Sequence, residues 1–278
     1  MGCCCSCCHQ NTKIKRGQLY ETVKSQMRPL DLLVFRGDDF VSGLISILEK
    51  RGYKNAKGGN FTHVGMIVTR DILDDPTMEP NKLYILESVI SGRLGYNVTD
   101  IHGRSFLGVQ IRDLDQLIDA YDRPNQTSIG WCPLLNNPFL NPQINRDQLK
   151  QQFTEIYQRI NGVMWDANCW SLCSAIYPCC RPCRSCIEQT LHTQDWLFCS
   201  EMVALVYQHL NILPSTVNPK DVLPADLVYP NEDTDQMPLI IQSVHLIVSR
   251  QHYPLVKLSE IPYLSHTFLV PTELVERI

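Results

Sequence analysis

The sequence predicts an α+β domain, and three observations carry that reading. Short apolar runs at 30–35, 61–69 and 83–87 have the length and composition of strands. Two later stretches, 147–160 and 199–210, repeat apolar residues at three- and four-residue steps, as helices with one buried face do. A cysteine, Cys199, opens the second of these, directly after the apolar Trp196-Leu197-Phe198.

A length of 278 residues is ample for a packed core, and 19% charged against 44% hydrophobic residues is an ordinary globular balance. The formal net charge of -4 gives no electrostatic case for nucleic-acid binding. Thirteen cysteines are many, and they are clustered: five in the first eight residues and six between Cys169 and Cys186. A disulfide framework would spread them through a small secreted domain, so the compartment reads as reducing. No apolar signal region follows Met1, and no run approaches the length of a membrane span.

Residues 1–28 read as an anchoring segment and 29–278 as one catalytic domain with a cysteine-rich insert at 165–190. Met1-Gly2 with Ser6 fits the N-myristoylation pattern, and Cys3, Cys4, Cys5, Cys7 and Cys8 are available for palmitoylation. One myristoyl chain holds a protein only marginally, and a second chain makes the attachment stable. This predicts a peripheral, lipid-anchored protein on the cytoplasmic face of a membrane. A disordered cysteine tail is the plainer alternative.

Leu30 to Phe35 is a buried strand ending in an Arg36-Gly37-Asp38-Asp39 turn, and Phe40 to Lys50 has helical periodicity. Phe61 to Thr69 is the next strand, with His63 near its start and Gly65 on the same face, where a missing side chain lets another group approach. Leu83 to Glu87 follows, ending in the acid. Val98 to Asp113 reads as further strand containing His102, Leu114 to Tyr121 as a short helix, and 124–146 as loop packed down by Trp131 and Phe139.

Asp147 to Ile160 is a helix stopped by Asn161-Gly162. In the insert, Cys179, Cys180, Cys183 and Cys186 are too compressed for the usual pair of zinc hooks, so a zinc knuckle, a palmitoylated loop and a plain loop all stay open. Beyond the Cys199 helix, a packed segment at 223–227 precedes late strands at 239–249 and 267–270.

A thiol at a helix N-terminus faces unpaired N–H groups and the positive end of the dipole, both of which favour the nucleophilic thiolate. Taken singly, a buried cysteine is commonly core, a strand histidine structural, and a strand-end glutamate solvated. Together Cys199, His63 and a carboxylate are the parts of a thiol hydrolase, in which imidazole takes the thiol proton and a third group orients the ring. Such a site needs no metal or cofactor.

The run Asp31-Leu32-Leu33-Val34-Phe35-Arg36-Gly37, then Thr62-His63-Val64-Gly65, Leu86-Glu87, Phe198-Cys199-Ser200-Glu201 and Leu223-Pro224-Ala225-Asp226-Leu227 resembles the circularly permuted NlpC/P60 group of papain-like amidases, the YiiX/YaeF-like proteins and their poxvirus relatives. The likeness spans roughly Pro29 to Tyr229, and permutation explains why the histidine precedes the cysteine. Trp165 stands where the family has a tyrosine. The resemblance implies a mainly antiparallel sheet packed against helices, with Cys199 as nucleophile at a helix N-terminus, His63 as base and Glu87 as orienting carboxylate. It further implies hydrolysis of a peptide-like amide through an acyl thioester. A lipid acyl hydrolase or transferase of the lecithin:retinol acyltransferase type is the alternative enzyme, and a membrane-anchored module that binds without catalysis is the alternative outside enzymes. The oligomeric state is left open.

Overall fold

A computed structural model describes residues 13–36, 61–89, 99–104, 108–121, 128–165, 196–228, 240–241 and 243–248. The expected helix at 40–50, the acylation sites Gly2, Cys3, Cys4 and Cys5, the insert cysteines and the expected strand at 267–270 lie outside these residues.

Among the described residues, a mixed sheet of seven strands organises the domain. Its strands are β1 (Lys13–Leu19), β2 (Leu32–Arg36), β3 (His63–Val68), β4 (Tyr84–Val89), β5 (Gly108–Asp113), β6 (Ser128–Cys132) and β9 (Ser243–Val248), in the spatial order β1-β9-β6-β2-β3-β4-β5. All neighbours pair antiparallel except β1 and β9, which run parallel at one edge. A separate parallel pair joins β7 (Met164–Trp165) to β8 (Trp196–Leu197). Among the described residues the α-helices are α1 (Tyr20–Lys24), α2 (Leu114–Tyr121), α3 (Arg146–Ile160), α4 (Cys199–His209) and α5 (Pro224–Val228). The fold is α+β, as the strand and helix periodicities predict.

Side-chain alternation sorts the central strands into two apolar layers. Leu32, Val34, Val64, Met66 and Leu86 pack with Phe153 of α3 and Met202, Val203 and Val206 of α4. Leu33, Phe35, Ile67, Ile85 and Trp131 face the other way, against Tyr20 and Val23 of α1 and Leu117 of α2. The central strands are therefore covered on both sides, which explains why β2, β3 and β4 read as nearly continuous apolar runs. The apolar stripe of α4 predicted at Met202, Val203, Val206, Tyr207 and Leu210 is buried throughout.

Three local readings change. The globular part begins before Pro29, since β1 pairs with β9 and Tyr20, Val23 and Met27 are core residues. Ser128 to Cys132 is a central strand within the stretch expected to be loop; Trp131, expected to pack a loop, is one of its buried side chains. His102 sits in a turn, because Asp100 accepts the His102 and Arg104 backbone N–H groups and folds the chain back before β5 begins.

A buried hub ties the two layers together. Asp31 accepts from Trp131 Nε1 at 2.9 Å, Leu134 N at 3.0 Å, Asn137 Nδ2 at 3.1 Å and Arg28 N at 3.0 Å. Nearby, the Tyr207 hydroxyl of α4 donates to the Leu30 carbonyl at 2.6 Å, beside a Leu30 backbone held at φ 73°.

Candidate active site

His63 and Glu87 come together because β3 and β4 are antiparallel neighbours. Their register pairs Met66 with Leu86, so Gly65 lies across from Glu87 and His63 falls diagonally beyond it on the same face. His63 Nε2 and Glu87 Oε2 are 2.7 Å apart. Gly65 keeps the strands at this spacing: a Cβ there would stand 2.5 Å from Ile85 Cδ1 and 3.2 Å from Glu87 Cβ. The imidazole tilts against Phe35 with ring centroids 5.4 Å apart, and its side chain is 19% exposed.

Cys199 arrives from the opposite layer. It is the first residue of α4, 5% exposed, and packed into the core that α3 and α4 form on their side of the sheet. The approach is fixed by three bonds. Ser88 Oγ of β4 donates to the Leu197 carbonyl at 2.7 Å, Ser200 Oγ donates to the Val222 carbonyl at 2.7 Å, and Glu201 Oε2 accepts from Phe198 N at 3.4 Å. His63 opens β3, so its ring lies at the end of the sheet. There it meets Glu87 through Nε2, and the Cys199 thiol lies near enough to raise the pKa of the ring.

The electrostatics follow from this placement. Burial pushes the His63 pKa down, but Cys199 and Glu87 outweigh it and raise the group to about 10. Burial pushes Glu87 up, and the Arg112 guanidinium with His63 outweighs that, holding the carboxyl below its ordinary value. Arg112 of β5 donates through Nε to Glu87 Oε1 at 2.7 Å, and its Nη2 makes a second contact with the same oxygen. Cys132, the other described free cysteine, lies in a different setting: burial first, and Asp31 second, push its thiol well above the ordinary value.

All three residues expected in the site, Cys199, His63 and Glu87, are thus brought together. Glu87, whose plain reading was a solvated strand end, is fully buried. Arg112 was missed. Its signal was Gln110 and Arg112 at alternate positions of β5, two polar side chains on one face of a strand that is buried on both. Among the described residues no cluster of three or more His, Cys, Asp or Glu side chains could hold a metal ion. None of the described helices is long and apolar enough to cross a membrane. A surface cleft of about 460 Å³ lies past the other end of β3, lined by Arg70, Arg146 and Lys150 against Asp71, Asp74 and Asp147 with Phe139. Its charges balance, and none of the three site residues lines it.

No family model and no curated protein sequence matches the chain. Among solved structures it is similar to the metalloprotein YiiX of Escherichia coli O157:H7, at 16% identity and a TM-score of 0.37, over 80% of this chain and 89% of that one.

Proposed function

We propose that the protein is a papain-like thiol hydrolase that transfers an acyl group to Cys199 and then to water. The observation behind this reading is His63 at 2.7 Å from a buried carboxylate, with a thiol at a helix N-terminus near enough to raise the pKa of the ring. His63 takes the Cys199 proton, and the sulfur attacks the substrate carbonyl to form a tetrahedral intermediate. The backbone N–H of Cys199, a first-turn N–H of α4 with no intrahelical acceptor, donates to the oxyanion. The intermediate collapses as His63 returns the proton to the departing amine or alcohol, leaving a thioester. Water, deprotonated by His63, then releases the acid and regenerates the thiol.

Acylation at Gly2 and at Cys3, Cys4 or Cys5 would hold this site against the cytoplasmic face of a membrane. Residues 2–12 separate the anchor from β1, so the domain stays within about 40 Å of the bilayer surface at full extension. That proximity favours an ester or amide of a lipid acyl chain over a distant soluble peptide. A panel of aryl esters and N-acyl peptides with short and long acyl chains tests the chemistry. An acyl adduct on Cys199, seen by mass spectrometry, and loss of turnover in Cys199→Ala with an unchanged melting temperature are expected. Full activity in Cys199→Ala would remove Cys199 as nucleophile. For the anchor, an unmodified Gly2 in protein made in eukaryotic cells would overturn the proposal.

A further inference from the structure

The reading of Cys199 and His63 as nucleophile and base leaves a buried cation unused. Arg112 is 5% exposed and Glu87 wholly buried, yet the guanidinium meets Glu87 Oε1 through both Nε and Nη2 while Glu87 Oε2 meets His63. One carboxylate oxygen is therefore committed to the cation and the other to the ring.

We propose that Arg112 is a positioning residue, which through Glu87 decides which nitrogen of His63 carries the proton. An ionised Glu87 only accepts, so Nε2 must donate to it, and the lone pair of Nδ1 in the neutral ring is left to take the thiol proton. A carboxyl buried without a counter-charge takes up a proton. Its O–H would then donate to Nε2, the ring proton would move to Nδ1, and the ring would lose its acceptor on the thiol side. Arg112 prevents this by keeping Glu87 charged and in place.

Apart from His63 itself, no other described neighbour of Glu87 supplies that charge. Gln110, opposite Glu87 in register, is neutral. Lys82 is spent on Asp113 and Glu79, near Tyr84 at the start of β4. The charged groups facing Glu87 are His63 from β3 and Arg112 from β5, and Cys199 meets the ring from α4. This inference deepens the hydrolase reading and falls with it if the thiol and the ring do not act as a pair.

The test is a double-mutant cycle on the full chain, reading the rate of Cys199 alkylation by iodoacetamide from pH 5 to 9 with site-resolved mass spectrometry. Arg112→Met is expected to slow labelling at pH 7 at least tenfold. Glu87→Gln is expected to do the same, and the double variant to equal Glu87→Gln within about twofold, because Arg112 acts only through that carboxylate. Nitrogen NMR of labelled histidine, recorded above pH 10 where the ring is neutral, is expected to find the His63 proton on Nε2 in the parent and on Nδ1 in Arg112→Met.

Arg112→Lys, which keeps a cation in place, covers the case in which the Met variant does not fold. It is expected to recover labelling to within fivefold of the parent and to leave the proton on Nε2. Parental labelling in a folded Arg112→Met, multiplicative effects in the double variant, or an Nδ1 proton in Arg112→Lys would overturn the proposal. No turnover is needed, so a missing substrate does not confuse the result. Parental labelling that ignores His63→Ala would instead show that the pair itself is absent, and would overturn both readings.

Discussion

Gly65→Ala is the smallest change that should disturb both the fold and the site. The added Cβ would sit 2.5 Å from Ile85 Cδ1, 2.7 Å from Ile85 Cγ1 and 3.2 Å from Glu87 Cβ. Rotation of Ile85 could withdraw Cδ1, but Ile85 is fully buried against Ile67 and Leu33 and has little free volume to enter. Glu87 Cβ is fixed to β4, so it moves only if the strand does. Overpacking of this kind costs about 1–3 kcal/mol. Replacing glycine in an extended strand returns about 0.4–1 kcal/mol through the less flexible unfolded chain. The net loss is about 1–2 kcal/mol, and at about 2–4 °C per kcal/mol the melting temperature should fall by roughly 2–8 °C. A shift of β4 also lengthens the 2.7 Å contact between Glu87 and His63, so Cys199 labelling should slow in the same variant. Thermal denaturation and alkylation on one preparation check both. A melting temperature within about 1 °C of the parent together with unchanged labelling would refute the claim that Gly65 sets the β3–β4 spacing.

Further outcomes follow from the buried polar groups. Glu87 is held below its ordinary value of 4.5, so its stabilisation is present above that pH and is lost as pH falls through the depressed folded value. His63 is raised from 6.5 to about 10, so its contribution is full below 6.5 and is lost as pH rises through about 10. The gap in melting temperature between the parent and Glu87→Gln should therefore be widest between pH 4.5 and 6.5 and narrow on either side; a gap independent of pH would contradict this. Asp31→Leu strips the acceptor from Trp131, Leu134, Asn137 and Arg28 and should cost about 3 kcal/mol or more in denaturant unfolding. Asp31→Asn, which keeps one oxygen, should cost less than half as much. Tyr207→Phe removes the donor to the Leu30 carbonyl and should cost about 1–2 kcal/mol by the same measurement, without affecting Cys199 labelling.

The parts of the site that sequence revealed are those whose signal is local. Cys199 at the head of an apolar stripe and His63 beside Gly65 in an apolar strand are visible as breaks in a pattern. The helix at 147–160 was equally plain, because its five apolar positions and the Asn161-Gly162 stop agree. What stayed hidden depends on register. Arg112 becomes the partner of Glu87 only once β4 and β5 are aligned with Glu87 opposite Gln110. Ser128 to Cys132 contains Gly130 and follows a polar stretch, so its composition did not announce a strand that lies between β2 and β9. The edge strand β1 is rich in lysine and arginine and draws its pairing from β9, over two hundred residues away in the chain. Tertiary pairing, and not local preference, makes these segments strands.

Alkylation of Cys199 decides whether Cys199 and His63 act as one unit. Iodoacetamide labelling, followed by site-resolved mass spectrometry from pH 5 to 9, would be compared in the parent chain and in His63→Ala. Fast labelling of Cys199 near pH 7 is expected, dropping at least tenfold in the variant, with Cys132 slow in both. Slow labelling of Cys199, unchanged when His63 is removed, would contradict it and leave a fold that binds without catalysing.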